Sequence, residues 1–186
     1  MIFMSQSGIV DAAREDGWDR WYVDHLSIMA SVPGIGSAQR FKTASAGHPP
    51  SLAMYSVVSP NVFEDPYYQR VRGMGEWLSL IDRRYYRRNL FAGAERAPEV
   101  AADKVLLVAD RDAPDPSLSG VEWTWLECVA IDRSTPYRGI AVVPHDEAHA
   151  LDSATRGVSR VPVTCAVTIR SWSVAVLRVI FNLLLM

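Results

Sequence analysis

Apolar and polar positions along this chain alternate between two periods, and the changes of period outline its elements. Residues 2–9 form a short, mostly apolar run suited to a strand, and the polar, acidic residues 11–16 suit the start of a helix. Trp18, Trp21, Tyr22, His25, Met29 and Val32 then recur at spacings of three and four, the signature of a helix with one apolar face. Asp19, Arg20, Asp24 and Ser27 fall mainly on its other side. Pro33-Gly34 should end this helix, because proline disfavours a helical residue before it and glycine tolerates the turn.

Two strand-like runs follow at 37–43 and 52–58, separated by a loop with Gly47, Pro49 and Pro50. Ser59-Pro60-Asn61 opens a second helical segment reaching Arg72, and residues 77–91 hold a further helix start or a long strand. This order, β-α-β-β-α-β, is the split βαβ arrangement of ferredoxin-like folds. An alanine-rich stretch with Pro98, residues 92–103, reads as a linker. Beyond it come strands at 104–109, 121–131 and 137–143, a short helix at 146–156 and a last strand at 161–169. The counterpart of the first helix is missing, replaced by the loop 111–120 with its two prolines. The expected fold is therefore α+β, with tandem ferredoxin-like repeats (residues 1–92 and a trimmed 103–172) whose sheets face each other as a barrel within one chain. Residues 173–186 form a very apolar tail, shorter than the ~20 residues a spanning helix needs and interrupted by Arg178 and Asn182.

Composition narrows the function. About half the residues (49%) are apolar, enough for a substantial core without staples. A formal charge of −2 provides no global basic field for nucleic acid or an anionic membrane. Cys128 and Cys165 lack metal-ligand spacing and read as reduced thiols, and with no basic leader at the N-terminus the expected location is cytoplasmic. There is no glycine-rich phosphate loop, nucleophile elbow or zinc-ligand cluster, so a cofactor-independent protein is expected. His145 and His149, four apart near Asp146, resemble half of a metal site without a third ligand, and no metal is expected.

The segment Trp18-Asp19-Arg20-Trp21-Tyr22-Val23-Asp24-His25-Leu26, then Val32-Pro33-Gly34 and Ala38-Gln39-Arg40-Phe41, resembles EthD-like members of the dimeric α+β barrel superfamily. Leu52-Ala53-Met54-Tyr55 and Ser59-Pro60 continue the match, which covers residues 2–91 and thereafter only the order of elements. The resemblance implies a barrel of two ferredoxin-like halves, in a superfamily of isomerases, monooxygenases, haem-degrading enzymes and proteins without known activity. It also implies that His25 matches a pocket-lining histidine.

Candidate chemistry follows from side-chain placement. His25 shares a helix face with Trp21 and Tyr22 and suits a general acid or base, or equally a core histidine. Arg40 and Tyr55 lie on adjacent expected strands, where an arginine fork suits a carboxylate and a tyrosine a developing enolate. In the run 83–89, an extended chain turns Arg83, Tyr85, Arg87 and Asn89 one way and Arg84, Tyr86 and Arg88 the other. Either face offers cations around a ring, or a charged edge strand. Trp125 and Glu127 alternate with Trp123 on one strand face, where a carboxyl among tryptophans suits an acid. These residues together suggest a proton-transfer enzyme, such as an isomerase, acting on a small carboxylated intermediate of aromatic catabolism (a muconate-like ring-cleavage product). His25, Tyr22 and Tyr55 would be catalytic, and Arg40, Arg83, Tyr85, Arg87, Trp125 and Glu127 would bind the substrate. The alternatives are a non-catalytic ligand-binding or interaction module with the same barrel, and a haem-using or cofactorless oxygenase. A small carboxylated molecule is the expected partner, with nucleic acid and membrane excluded and a homodimer compatible.

Overall fold

The computed structural model describes residues 1–43, 47–150 and 158–168, the last stretch and residues 119, 149 and 150 as backbone only. The apolar tail, the side chains of Cys165 and His149, and the end of the helix expected at 146–156 lie outside the described residues.

In chain order the elements are β1 Ile2–Ser7, α1 Glu15–Ala30, β2 Ile35–Lys42, β3 Ser51–Val57, α2 Pro66–Val71, β4 Arg87–Ala92, β5 Lys104–Arg111, β6 Thr124–Ile131, β7 Tyr137–Pro144, α3 His145–Ala150 and β8 Val158–Thr168. The fold is α+β, and the described strands form one antiparallel sheet that curls into a closed barrel, in the order β1-β3-β2-β8-β5-β7-β6-β4. Its first four strands lie as β4-β1-β3-β2 and its last four as β8-β5-β7-β6, so the same order of connection recurs. The two sets join at seams β2–β8 and β4–β6, each with a register shift. Among the described residues no helix is long and apolar enough to cross a membrane.

Local chemistry explains most boundaries. The Asp11 carboxylate accepts from Ala13 N at 3.1 Å, and Glu15 and Asp16 place negative charge at the first turn of α1. Gly34 takes φ +89 after α1, where an added Cβ would also meet Val62 Cγ2 at 2.5 Å. The second helical segment divides into a 3-10 turn, Pro60–Glu64, and α2, whose N-cap Asp65 accepts from Tyr67 N and Tyr68 N. The segment 77–91 divides as well. A 3-10 helix covers Gly75–Leu80, Asp82 Oδ1 accepts from Arg84 N at 3.0 Å to close a turn, and the strand starts only at Arg87. The alternation expected across 83–89 is therefore broken, because an Asx turn takes up residues 82–85. Between β5 and β6 there is a loop with a short 3-10 turn, Leu118–Gly120, where the helix was expected to be missing.

Alternation sorts side chains between two layers of core. Ile2 and Met4 of β1 pack inside the barrel with Phe41, Met54, Phe91, Leu106, Val108, Leu126 and Ile140. Phe3 points outward and packs with Trp18, Tyr22, Leu26 and Met29 of α1, and with Tyr55 and Leu90. A smaller outer cluster on the other side joins Val105, Leu107, Ala141 and Val143 to Ala148 of α3, with Trp123 against it.

The linker is part of the core. Val100 is buried in the interior cluster, its carbonyl accepts from Gln39 Nε2 at 3.1 Å, and its N–H donates to Gln39 Oε1 at 3.2 Å. Ala97 N donates to Ser56 Oγ at 2.9 Å, and the amino terminus of Met1 donates to the carbonyls of Val57 and Glu95. The linker thus closes one end of the barrel. Towards the other end, the fully buried Arg138 guanidinium donates to both oxygens of Asp110, at 2.7 and 2.8 Å, and to Gln6 Oε1 at 2.9 Å. It also lies over the Phe91 ring at 5.2 Å.

Candidate functional site

The strand register builds the floor of the layer beneath α1. Arg40 lies opposite Ala53, Ala53 opposite Ser5, and Ser5 opposite Arg88. This row runs across four strands on the outer face, so small side chains separate two arginines whose backbones stand about 14 Å apart at normal strand spacing. The next row towards the polar end is Lys42, Ser51 and Ser7, and on the apolar side come Ala38, Tyr55, Phe3 and Leu90.

Aromatic side chains roof this floor. Tyr22 of α1 is fully buried with its hydroxyl towards Ser7 and Ser5, and burial raises its pKa. Tyr55 is also buried and stacks on Phe3 at 5.5 Å; burial raises its pKa well above the usual value, reinforced by the neighbouring Tyr22 and Tyr68. His25 stacks on Trp21 at 4.6 Å and meets Tyr22 edge-on at 5.8 Å. Burial lowers its pKa to about 4, so it is neutral near pH 7. Tyr68 of α2 and Tyr86, just before β4, complete the group, and burial raises both.

The two arginines of the floor differ. Arg40 is buried: Nη1 donates to Asp19 Oδ1 at 2.7 Å, Nε donates to Ser51 Oγ at 2.8 Å, and the guanidinium lies 4.2 Å from the Tyr22 ring centroid. Burial pushes the Asp19 carboxyl up, but hydrogen bonds from Lys42 and Arg40 outweigh this and hold it below the usual range. Arg88 lies over Tyr86 at 5.6 Å, its Nη2 reaches Asp132 Oδ1 at 3.3 Å, and its buried Nε has no acceptor.

Among the described residues, the buried side-chain polar atoms without a hydrogen-bond partner are Ser7 Oγ, Trp77 Nε1, Arg88 Nε and Trp125 Nε1. Ser7 stands beside Tyr22 without closing a bond of good geometry. Ser7 and Arg88 belong to the outer face of the first four strands, and Trp77 packs on Trp18 in the same core. Leaving such a group unpaired costs about 1–3 kcal/mol, so their concentration in one layer calls for a cause.

Four of the residues expected to act together do meet here: Tyr22, His25, Arg40 and Tyr55. The others lie elsewhere. Arg83 and Arg87 are exposed, Tyr85 is half-buried, and Arg87 Nη1 donates to the carbonyls of Arg83 and Tyr86. Trp125 lies on the outer face of the second set of strands, its ring with that of Trp123 above Gly139, and Glu127 on the same strand is exposed rather than walled in by tryptophans. Sequence reasoning placed Tyr86 and Arg88 in the basic run but drew its binding residues from the alternate face. The Asp82-centred turn was the signal that could have separated the two.

Comparison with protein-family models and with curated proteins finds no match to this chain.

Proposed function

We propose that this protein binds a small, planar organic carboxylate in the layer between α1, α2 and the outer face of β1, β2, β3 and β4. The buried Arg88 Nε carries the reading. A guanidinium N–H without an acceptor, among tyrosine rings, is suited to a carboxylate oxygen attached to a flat apolar body. Ser7 Oγ and Trp77 Nε1 supply further unpaired polar atoms in the same layer. Arg40, with Asp19 as its counter-charge, serves as a wall of the site.

The architecture proposed with this function is a pair of fused ferredoxin-like halves, residues 1–92 and 103–172. The repeated strand order β4-β1-β3-β2 and β8-β5-β7-β6 supports it, as does the missing helix between β5 and β6. A cytoplasmic location and independence of a cofactor belong to the same proposal, the location supported by the free Cys128 thiol.

A second reading, proton transfer on the bound acid as in an isomerase of muconate-like compounds, draws support from the contact of His25 with Tyr22. It is the weaker one, because a histidine whose pKa lies near 4 is a poor base for a carbon acid at neutral pH.

Thermal denaturation with benzoate and with cis,cis-muconate tests both. At ten times its dissociation constant a ligand adds about 1.4 kcal/mol, a rise of about 3–6 °C for a chain of this size. The rise should vanish in Arg88→Ala and persist in Arg83→Ala. Absence of any shift with both acids refutes the binding site. Exchange of muconate C–H protons with deuterated solvent, lost in His25→Gln, would replace simple binding by the proton-transfer reading.

A further inference from the structure

The hairpin between β6 and β7 brings the second set of strands to this site. Asp132 Oδ2 accepts from Arg88 N at 2.8 Å, Asp132 N donates to Arg88 O at 2.9 Å, and Oδ1 takes the 3.3 Å contact with Arg88 Nη2. One residue further along β4, the Asn89 side chain holds Ser134 twice, through Nδ2 to Ser134 Oγ at 2.7 Å and Oδ1 to Ser134 N at 2.9 Å. This clasp holds an unfavourable backbone: Ile131 at φ +72 and Arg133 at φ +47 are the non-glycine residues of positive φ among those described. A β-branched residue is uncommon in that region, and such strain persists only where surrounding bonds over-determine it.

Arg88 can present a carboxylate with two parallel N–H groups, Nε and one of Nη2. Asp132 occupies Nη2 and leaves Nε, while its own negative charge stands beside whatever binds there. Resting on the carboxylate reading above, we propose that Asp132 is a specificity-determining residue that restricts Arg88 to one ligand oxygen and selects monocarboxylates over dianions. The second half of the chain thereby sets the charge of the ligand accepted by the first.

The test compares benzoate with phthalate by calorimetric titration of the full chain and its Asp132→Asn variant, which keeps an acceptor and removes the charge. The wild type should bind benzoate at least tenfold more tightly than phthalate, and Asp132→Asn should reduce that ratio at least tenfold, chiefly by gaining phthalate. A ratio unchanged by the substitution overturns the proposal while benzoate binding, lost in Arg88→Ala, keeps the site. Failure of benzoate to bind the wild type refutes the site itself. A measurement without ligand then decides the role of Asp132: the NMR signal of Arg88 Nε–H should shift and exchange faster in Asp132→Asn, and an unmoved signal overturns the positioning.

Discussion

Substitution of either partner in the Arg138–Asp110 pair removes the same ion pair, yet the two should have very different consequences. The Arg138 side chain is 0% exposed and the Asp110 side chain 45% exposed. Asp110→Ala leaves a guanidinium in the barrel with Gln6 Oε1 and the Met4 sulfur as its remaining hydrogen-bond partners among the described residues. Breaking a fully buried pair in this way costs about 3–5 kcal/mol. Water already reaches Asp110 and can partly replace it, so about 2–3 kcal/mol is expected. Arg138→Met removes the buried charge, leaves Asp110 to solvent and puts an apolar chain against Met4 and Phe91, at a cost of about 1 kcal/mol or less. For a chain this long each kcal/mol moves the midpoint about 2–4 °C, so Asp110→Ala should melt about 4–12 °C below the wild type and Arg138→Met within about 4 °C of it. Thermal unfolding followed by circular dichroism measures both, and the double variant should recover most of the loss of Asp110→Ala. If Arg138→Met proved as damaging as Asp110→Ala, the interior would be using the charge itself, and the reasoning from desolvation would be wrong.

Acid should weaken the fold through His25. Its folded pKa of about 4 lies below the ordinary 6.5, so the unfolded chain takes up the proton first. The stability tied to its neutral form is complete above about pH 6.5 and is lost as the pH falls towards 4, up to about 3 kcal/mol. Urea unfolding at pH 7 and 4.5 should show this loss, and His25→Gln should show a smaller fall; an equal fall in both would place the acid sensitivity elsewhere. Gly139→Ala should destabilise by about 1–3 kcal/mol, since its Cβ would meet Trp123 Cε3 at 2.9 Å and Trp125 Cη2 at 3.0 Å. An unchanged melting midpoint would show that the two indoles slide without loss.

What could be read in the sequence follows the range of the interactions. Periodicity located α1 and its buried face, because Trp18, Tyr22, His25 and Met29 repeat within one helix. The loop prolines likewise marked a connection between β5 and β6 that holds only a short 3-10 turn. The partner of Arg40 was out of reach: Asp19 lies twenty-one residues earlier on the polar side of α1, and only the packing of that helix over β2 brings them together. Arg138 was overlooked although the pattern carried a hint, a lone cation in the apolar run Tyr137–Pro144. Its partner lies one strand away, where Asp110 pairs with Arg138 in the register of β5 and β7. The candidate residues at 83–87 were misplaced for a local reason. Alternation presumes an extended chain, and the Asp82 side chain bends it just before the strand begins.

The connection through Val100 does more than carry the chain from β4 to β5. Because Val100 fills the end of the barrel and Gln39 grips its backbone from both sides, the peptide linking β4 to β5 is also the stopper of the barrel interior. A chain cut and trimmed between β4 and β5 would be left with that end open and the Gln39 amide buried without its Val100 partners. Splitting the chain at this connection would therefore require a replacement stopper before the barrel could close.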